Sequence, residues 1–270
     1  MTAGGNLPDW GQIAEKFDLW LPHLEPVGHT MLNALAVGAG NKVLDVATGT
    51  GEPALMLARR TRGNADIVGV DASEGMIAAA RAKVEKENLS NVQFDVMPAE
   101  KLSFDNHSFH RIMCRFGVML FDNPARGLSE MSRVLKVGGR LVVVVWSQAD
   151  RMPSMRWSYE AFKDRLPEEK HPPLVRGTSL GDPDVLEKLL QDSGLHSVRV
   201  MTKQFNYSFD SFESYWELVD ATGILKAQFD ALPENQHAQI KNEIRQMAEE
   251  FMSADGLVVP HEYLIASGVK

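Results

Sequence analysis

Cysteine is nearly missing from this chain of 270 residues, where Cys114 stands alone. One thiol can close no internal disulfide and build no thiolate metal cage, so a reducing, cytoplasmic setting is expected. No apolar run approaches the roughly 18 residues of a membrane span, and none is expected. The opening residues, MTAGGNLPDW, lack the basic start and apolar stretch of a secretory signal. Basic residues are also in deficit, 28 against 36 acidic ones, for a net charge of −8. A general nucleic-acid binder shows a basic face, so no nucleic-acid partner is expected. Histidines, the cysteine and carboxylates nowhere cluster at ligand spacing, and no metal is expected. What remains is an ordinary globular composition, 44% apolar and 24% charged, fitting a single domain over residues 1–270.

The stretch that organises the rest is Asn41 to Pro53, NKVLDVATGTGEP. Val43, Leu44 and Val46 form a short apolar strand with Asp45 inside it. Thr48-Gly49-Thr50-Gly51 turns the chain, and PALMLARR begins a helix. Glycines at 49 and 51 permit positive φ and close approach of a ligand. The helix start adds N–H groups and partial positive charge, so this unit is expected to take an anionic, nucleotide-bearing ligand. Asp45 is costly inside an apolar strand unless it is paired, hydrogen-bonded to the turn or facing an ammonium group. Asp71 ends the next strand, about 20 residues on, where a carboxylate can accept from a ribose diol.

Along the chain, residues 1–11 read as loose, and Gln12 to Trp20 as a helix with Ile13, Phe17 and Trp20 at helical spacing. A second helix is predicted over Pro26 to Ala36. Strands follow at 66–71, 91–96, 109–116 and 140–146, separated by helices at 74–88 (capped by Ser73) and 124–137. Five strands alternating with helices predict a doubly wound, mostly parallel α/β sheet. Beyond Trp146 come helices at 157–166 and 182–193, a strand at 197–207, helices within 210–254 and a last strand at 261–269. Tyr159-x-x-x-Lys163 with Ser147 upstream imitates the short-chain dehydrogenases. Pro53 stands where their pattern needs glycine, and Cys114-Arg-Phe-Gly117 replaces their Asn-Ala-Gly, so the two residues read as an ordinary helix face.

Four blocks in this order and spacing, VLDVATGTGEPALMLARR, VGVDASEGMIAAAR, MPAEKLSF…DNHSFHRIMCRFGVMLFDNP and MSRVLKVGGRLVVVVW, resemble the class I S-adenosylmethionine-dependent methyltransferases. They are most like the small-molecule group that includes the ubiquinone/menaquinone C-methyltransferases and natural-product methyltransferases. The blocks fall within residues 10–150; residues 180–270 match in layout more than in motif. The resemblance implies a Rossmann-like, seven-stranded sheet whose last strand is antiparallel, with a helical lid. Residues 1–40 would cover the cofactor mouth, 41–148 form the cofactor-binding core, and 149–181 and 210–257 lie on the substrate side. It implies S-adenosyl-L-methionine as cofactor and a small-molecule methyl acceptor with an O, N or C nucleophile.

Carried over by residue, Asp45, Ala47, Thr48, Gly49 and Gly51 would hold the methionine part and Asp71 the ribose. Ala72 and Met76 would flank the adenine, Ala99 and Glu100 its edge, and Arg115 and Phe116 face the methyl donor. Ala47 replaces the first glycine of the family turn. Pro98 stands where an acidic residue often meets the adenine amino group, leaving that contact to nearby backbone. Trp146, Trp157 and Trp216 are candidate substrate contacts, within a set of later aromatics that includes Phe205, Tyr207 and Tyr215. His171 and His261 are candidates for a general base, ahead of His29, His107 and His110. Two other functions share the cofactor-site pattern: a regulator that binds the cofactor without methylating, and an NAD(P)-dependent oxidoreductase.

Overall fold

The apolar runs become strands β1 (Asn41–Val46), β2 (Ala65–Asp71), β3 (Val92–Val96), β4 (Phe109–Arg115), β5 (Leu135–Trp146), β6 (His196–Phe209), β7 (Met252–Ser253) and β8 (Gly256–Val269) in a computed structural model that describes residues 7–270. Residues 1–6 of the stretch expected to be loose lie outside the described residues. The sheet runs β3-β2-β1-β4-β5-β8-β6, with the two-residue β7 added to β8. β3, β2, β1, β4 and β5 are mutually parallel, and β8 enters antiparallel between β5 and β6. The wound sheet and its antiparallel closing strand are therefore as the sequence implied, with β7 as an unpredicted extra.

Helices cover both faces, which is why the central strands carry unbroken apolar runs. One core lies under α2 (Leu21–Leu35) and α3 (Ala54–Thr61), and includes Met31, Leu35, Leu55 and Ile67. The opposite core lies under α5 (Pro124–Val134) and α8 (Pro183–Asp192), and includes Leu44, Ile112, Leu128 and Leu186. α1 (Trp10–Phe17) packs against α4 (Glu74–Glu87), and the chain after β5 adds α6 (Pro153–Phe162) and α7 (Leu174–Gly177). Between β6 and β7 come α9 (Phe212–Thr222), α10 (Lys226–Asp230) and α11 (His237–Ala248).

Several boundaries differ from expectation, α6 (Pro153–Phe162) among them, which starts four residues before the predicted 157. α2 begins at Leu21 rather than Pro26, because Pro22 sits in its first turn, where a missing N–H costs nothing. α5 stops at Val134, since Leu135 already pairs with Phe109. The predicted turn at Gly138-Gly139 becomes an irregularity within β5, with Gly138 at φ +75° and a register shift against β4. β8 starts at Gly256, five residues before the predicted strand start, so its early half reaches the same sheet edge as the ends of β1, β4 and β5.

Candidate active site

At that edge, where open α/β sheets bind ligands, lies a cavity of about 570 Å³. Its two ends are built from different chemistry.

The first end is the turn after β1. Ala47, Gly49 and Gly51 all take positive φ, +56°, +58° and +101°. The two glycines serve different needs. A Cβ on Gly49 would meet nothing within 4 Å, so that position keeps backbone bare toward the cavity. A Cβ on Gly51 would press on Leu55, Phe94 and Ala80, so that position lets the turn close on the core. Asp71 fastens the turn from β2: its Oδ2 accepts the Gly49 N–H at 2.9 Å and its Oδ1 the Ser73 N–H at 2.9 Å. Burial raises the Asp71 pKa, against the pull of those two N–H groups. Asp71 lines the cavity with Ala72 and Met76, beside Met97, Pro98, Ala99 and Glu100.

Asp45 lies beneath this wall, fully buried. Thr48 Oγ1–H donates to its Oδ2 at 2.7 Å, while Oδ1 has no partner among the described residues. Burial lifts its pKa to about 7, opposed by the Thr48 hydroxyl and the Arg115 guanidinium. An unpartnered carboxylate oxygen in such a place is matched by a nearby cation. Gly51 and Asp45 do not themselves line the cavity; Ala47, Thr48 and Gly49 do.

One expectation is overturned at the helix start. The sequence placed an anion there, but the helix supplies its own: Glu52 Oε2 accepts the Met56 N–H at 2.9 Å and Oε1 pairs with Arg59 at 2.8 Å. The Met56 N–H, one of the donors that an anion at the helix start would use, is therefore engaged. With Asp45, Glu52 and Asp71 around it, this end suits a nucleoside diol joined to a positively charged group. Glu52 in this capping role was missed; an acid directly before a helix-opening Pro53 was the available signal.

The second end is aromatic. Phe116 and Trp146 stack with centroids 3.6 Å apart, and Phe205 continues the stack 5.9 Å from Trp146. Arg115 lines the cavity and donates from Nη2 to the Glu52 carbonyl at 3.0 Å. Desolvation lowers its pKa, resisted by Asp45 and Glu52. Tyr207 and Tyr215 line the far wall, their phenols pushed upward in pKa by burial.

Of the candidate histidines, His261 reaches the cavity and His171 does not. His171 Nε2 is bound to the Leu166 carbonyl at 2.8 Å and its ring packs on Tyr159, a structural role. His29 pairs with Glu25 on the surface. Trp157 and Trp216 are also corrected. Trp157 packs on Tyr215 and Phe251, and Trp216 stacks on Phe212 with Lys241 over its ring. Both fail for one reason: successive helix residues point about 100° apart. On α9 it is Tyr215 and Val219, four apart, that face the cavity, and on α6 it is Ser154 and Ser158 with Met155 beside them. That serine pair at helical spacing was the overlooked signal. Lys163 is tied to Glu160, and Tyr159 to His171, so neither is arranged as a dehydrogenase pair. Glu100 lines the cavity, but its Oε1 caps the Asp122 and Asn123 N–H groups.

Comparison with known proteins gives three findings. The family model described as the ubiE/COQ5 methyltransferase family matches residues 28–169. A demethylmenaquinone methyltransferase of Bacteroides fragilis is 35% identical over 155 residues, covering 53% of this chain and 63% of the relative. A ubiquinone/menaquinone biosynthesis C-methyltransferase UbiE of Geobacter sulfurreducens is 44% identical over 109 residues, covering 40% and 43%. The chain thus spans less than two thirds of the length of these relatives. Among solved structures, the YcgJ protein of Bacillus subtilis shares the fold, with a TM-score of 0.62 and 20% identity over 91% of this chain and 98% of that one.

Proposed function

The chain belongs to the ubiE/COQ5 methyltransferase family, and we propose that it transfers a methyl group from S-adenosyl-L-methionine to a small, planar acceptor. The observation that carries this is the acid-lined turn whose helix start is already filled by Glu52. A dinucleotide pyrophosphate would meet the Glu52 and Asp71 residues that line this end, with Asp45 buried behind them, whereas a sulfonium joined to an ammonium group meets opposite charge. When bound, the cofactor supplies a methyl group activated by positive sulfur. Asp71 would take the ribose hydroxyls, Met76 and Ala99 flank the adenine, and Asp45, through the Thr48 layer, offset the cationic part. Phe116 and Trp146 would flank the path of the methyl group, offering π faces to positive charge. The names of the relatives support an acceptor among quinone precursors, and the stacked Phe116 and Trp146 that line the cavity suit a flat ring of that kind.

Alignment and exclusion of water are the main tasks left to such an enzyme. We assign them to the described part of residues 1–40 and to 149–181 and 210–257 as a cover over the core at 41–148. Trp20 Nε1–H donates to Thr222 Oγ1 at 3.3 Å, joining the N-terminal cover to α9. Asp18 receives Thr50 Oγ1–H at 2.6 Å and Lys83 Nζ at 2.7 Å, joining it to the turn and α4. Among the described residues no helix is long and apolar enough to cross a membrane. The lone cysteine, Cys114, supports the cytoplasmic setting we propose.

The cover gives a prediction. A Cβ on Gly75 would stand 2.7 Å from Gly11 Cα, backbone against backbone, so Gly75→Ala pushes α1 off α4. Overpacking of this kind costs about 1–3 kcal/mol, so roughly tenfold weaker cofactor binding is expected, with faster proteolysis near residue 10. Unaltered affinity in that variant counts against the cover.

The reaction is tested by incubating the chain with methyl-labelled S-adenosyl-L-methionine and naphthohydroquinone or a broad metabolite extract. Label in a small-molecule product is the expected result. Cofactor binding with silence in every extract would replace the transferase with a binding protein.

A further inference from the structure

His261 and Ser154 meet at the acceptor end of the cavity, and their hydrogen bonds fix which of them gives the proton. His261 Nδ1 lies 3.2 Å from the Val259 carbonyl oxygen, which can only accept, so Nδ1 carries the ring hydrogen. Its Nε2 therefore presents a lone pair, and Ser154 Oγ stands 2.7 Å from it as the donor. Ser158 donates its own hydroxyl hydrogen to the Ser154 carbonyl at 3.2 Å. The wall formed by α6 thus turns serine oxygens toward the cavity whose hydrogens are already committed. A ligand group can meet that wall only as a donor.

The position is built rather than incidental. Because β8 is antiparallel, its early residues arrive where β5 ends: Tyr263 is in register with Trp146, and His261 lies two residues further out along β8, opposite Phe205 of β6. Trp146, Phe205 and Tyr207 enclose the imidazole, with ring centroids 6.4, 5.8 and 4.4 Å away. Tyr207 is the titratable group among these, and Ser154 comes from the remaining element in contact. The Glu262 carboxylate beside it points away to Ser147 Oγ at 2.7 Å. The pair lines the same cavity as the Phe116–Trp146 stack and the glycine turn.

We propose that Ser154 and His261 form a proton relay that selects an acceptor bearing a hydroxyl group and takes that group's proton as methyl transfer occurs. The inference rests on the transferase reading given above. The acceptor O–H bond breaks and its proton goes to Ser154 Oγ, while the Ser154 hydrogen passes to His261 Nε2. The electron pair left on the acceptor forms its new bond to carbon, at oxygen or through the conjugated ring. The pair of the broken carbon–sulfur bond stays on sulfur. Where a ring carbon is methylated, its own hydrogen returns to the oxygen, and one proton in all has left the acceptor. Positive charge lost at sulfur appears on the imidazole, which later releases the proton to water. Ser154 is the catalytic residue, and His261 acts through it.

The direction of the relay is tested in the full chain by nitrogen NMR of the histidine rings, with S-adenosyl-L-homocysteine present and absent. A protonated Nδ1 and a bare Nε2 in His261 at neutral pH, with the Nε2 signal moving in Ser154→Ala, is expected. A hydrogen on Nε2 overturns the relay, whatever the activity. Its use is tested on transfer to naphthohydroquinone. General acid–base groups contribute roughly 100-fold or more, so Ser154→Ala and His261→Ala are each expected to lose about that in kcat with little change in KM. The double variant should lose no more than the worse single one, and Ser154→Thr should keep most of the rate. Wild-type rates in Ser154→Ala overturn the relay. Failure of wild type to bind S-adenosyl-L-homocysteine overturns the transferase reading instead, and the NMR result then judges the hydrogen-bond direction by itself.

Discussion

Asp71→Ala is expected to weaken S-adenosyl-L-methionine binding by about 2–3 kcal/mol, roughly 30- to 150-fold in Kd. The size follows from two losses at once. The variant gives up the carboxylate that lines the cavity, and it frees the Gly49 and Ser73 N–H groups that the carboxylate holds at 2.9 Å. The turn and the start of α4 then lose the clamp that joins them. Asp71→Asn keeps a single acceptor oxygen and should fall between. Adenosine, which carries the ribose diol and no positive charge, should lose affinity in step with the full cofactor. Isothermal titration of wild type and both variants measures this. Unchanged affinity in Asp71→Ala removes the residue from the site.

Asp45→Asn is expected to raise the stability of the unliganded protein and to lower its affinity for the cofactor. The Asp45 pKa is raised by burial to about 7 from an ordinary 3.8. Between those values the folded chain holds a proton that the unfolded chain has lost, so this group's contribution to stability falls as pH rises through that window. Above it the ionised group costs up to about 4 kcal/mol. An amide removes that charge while leaving one polar atom unsatisfied, so a net gain of about 1–3 kcal/mol is expected at pH 8, vanishing toward pH 4. His261 slopes the other way. Its pKa is lowered by burial to about 4, so its contribution falls as pH drops from 6.5 toward that value. The difference between the variant and wild type, followed by denaturant unfolding across pH, therefore isolates Asp45. Binding should mirror it: wild-type affinity for S-adenosyl-L-methionine falls below pH 7 as Asp45 takes up a proton, while affinity for adenosine stays flat. Such an exchange of stability for a charged site is common where function needs a strained group.

The cofactor end was legible in the sequence because its information is local. Asp45, Ala47, Thr48, Gly49 and Gly51 lie within seven residues, and a strand, a glycine turn and a helix can join them in few ways. Asp71 was legible because a parallel strand neighbouring β1 must end at the same edge. The charge expected there was read wrongly, since a glycine turn before a helix looks the same whether Glu52 caps the helix or a phosphate does. The acceptor end is non-local. His261 meets Ser154 from 107 residues away only because β8 inserts antiparallel beside β5. Trp157 and Trp216 were misplaced because composition names a helix's aromatic residues but not the face they occupy, which packing decides. The β5 irregularity at Gly138 shows the same limit: a Gly-Gly pair signals a departure from regular backbone, and the partner strand determines whether that is a turn or a bulge.

Calorimetric titration of the chain with S-adenosyl-L-methionine, S-adenosyl-L-homocysteine and NAD(P) tests most directly whether the acid-lined turn selects an adenosyl amino acid. One saturable site per chain for the first two, with no heat from the dinucleotides, is the predicted result. Saturable binding of NAD(P) with silence from the sulfonium ligand would contradict it.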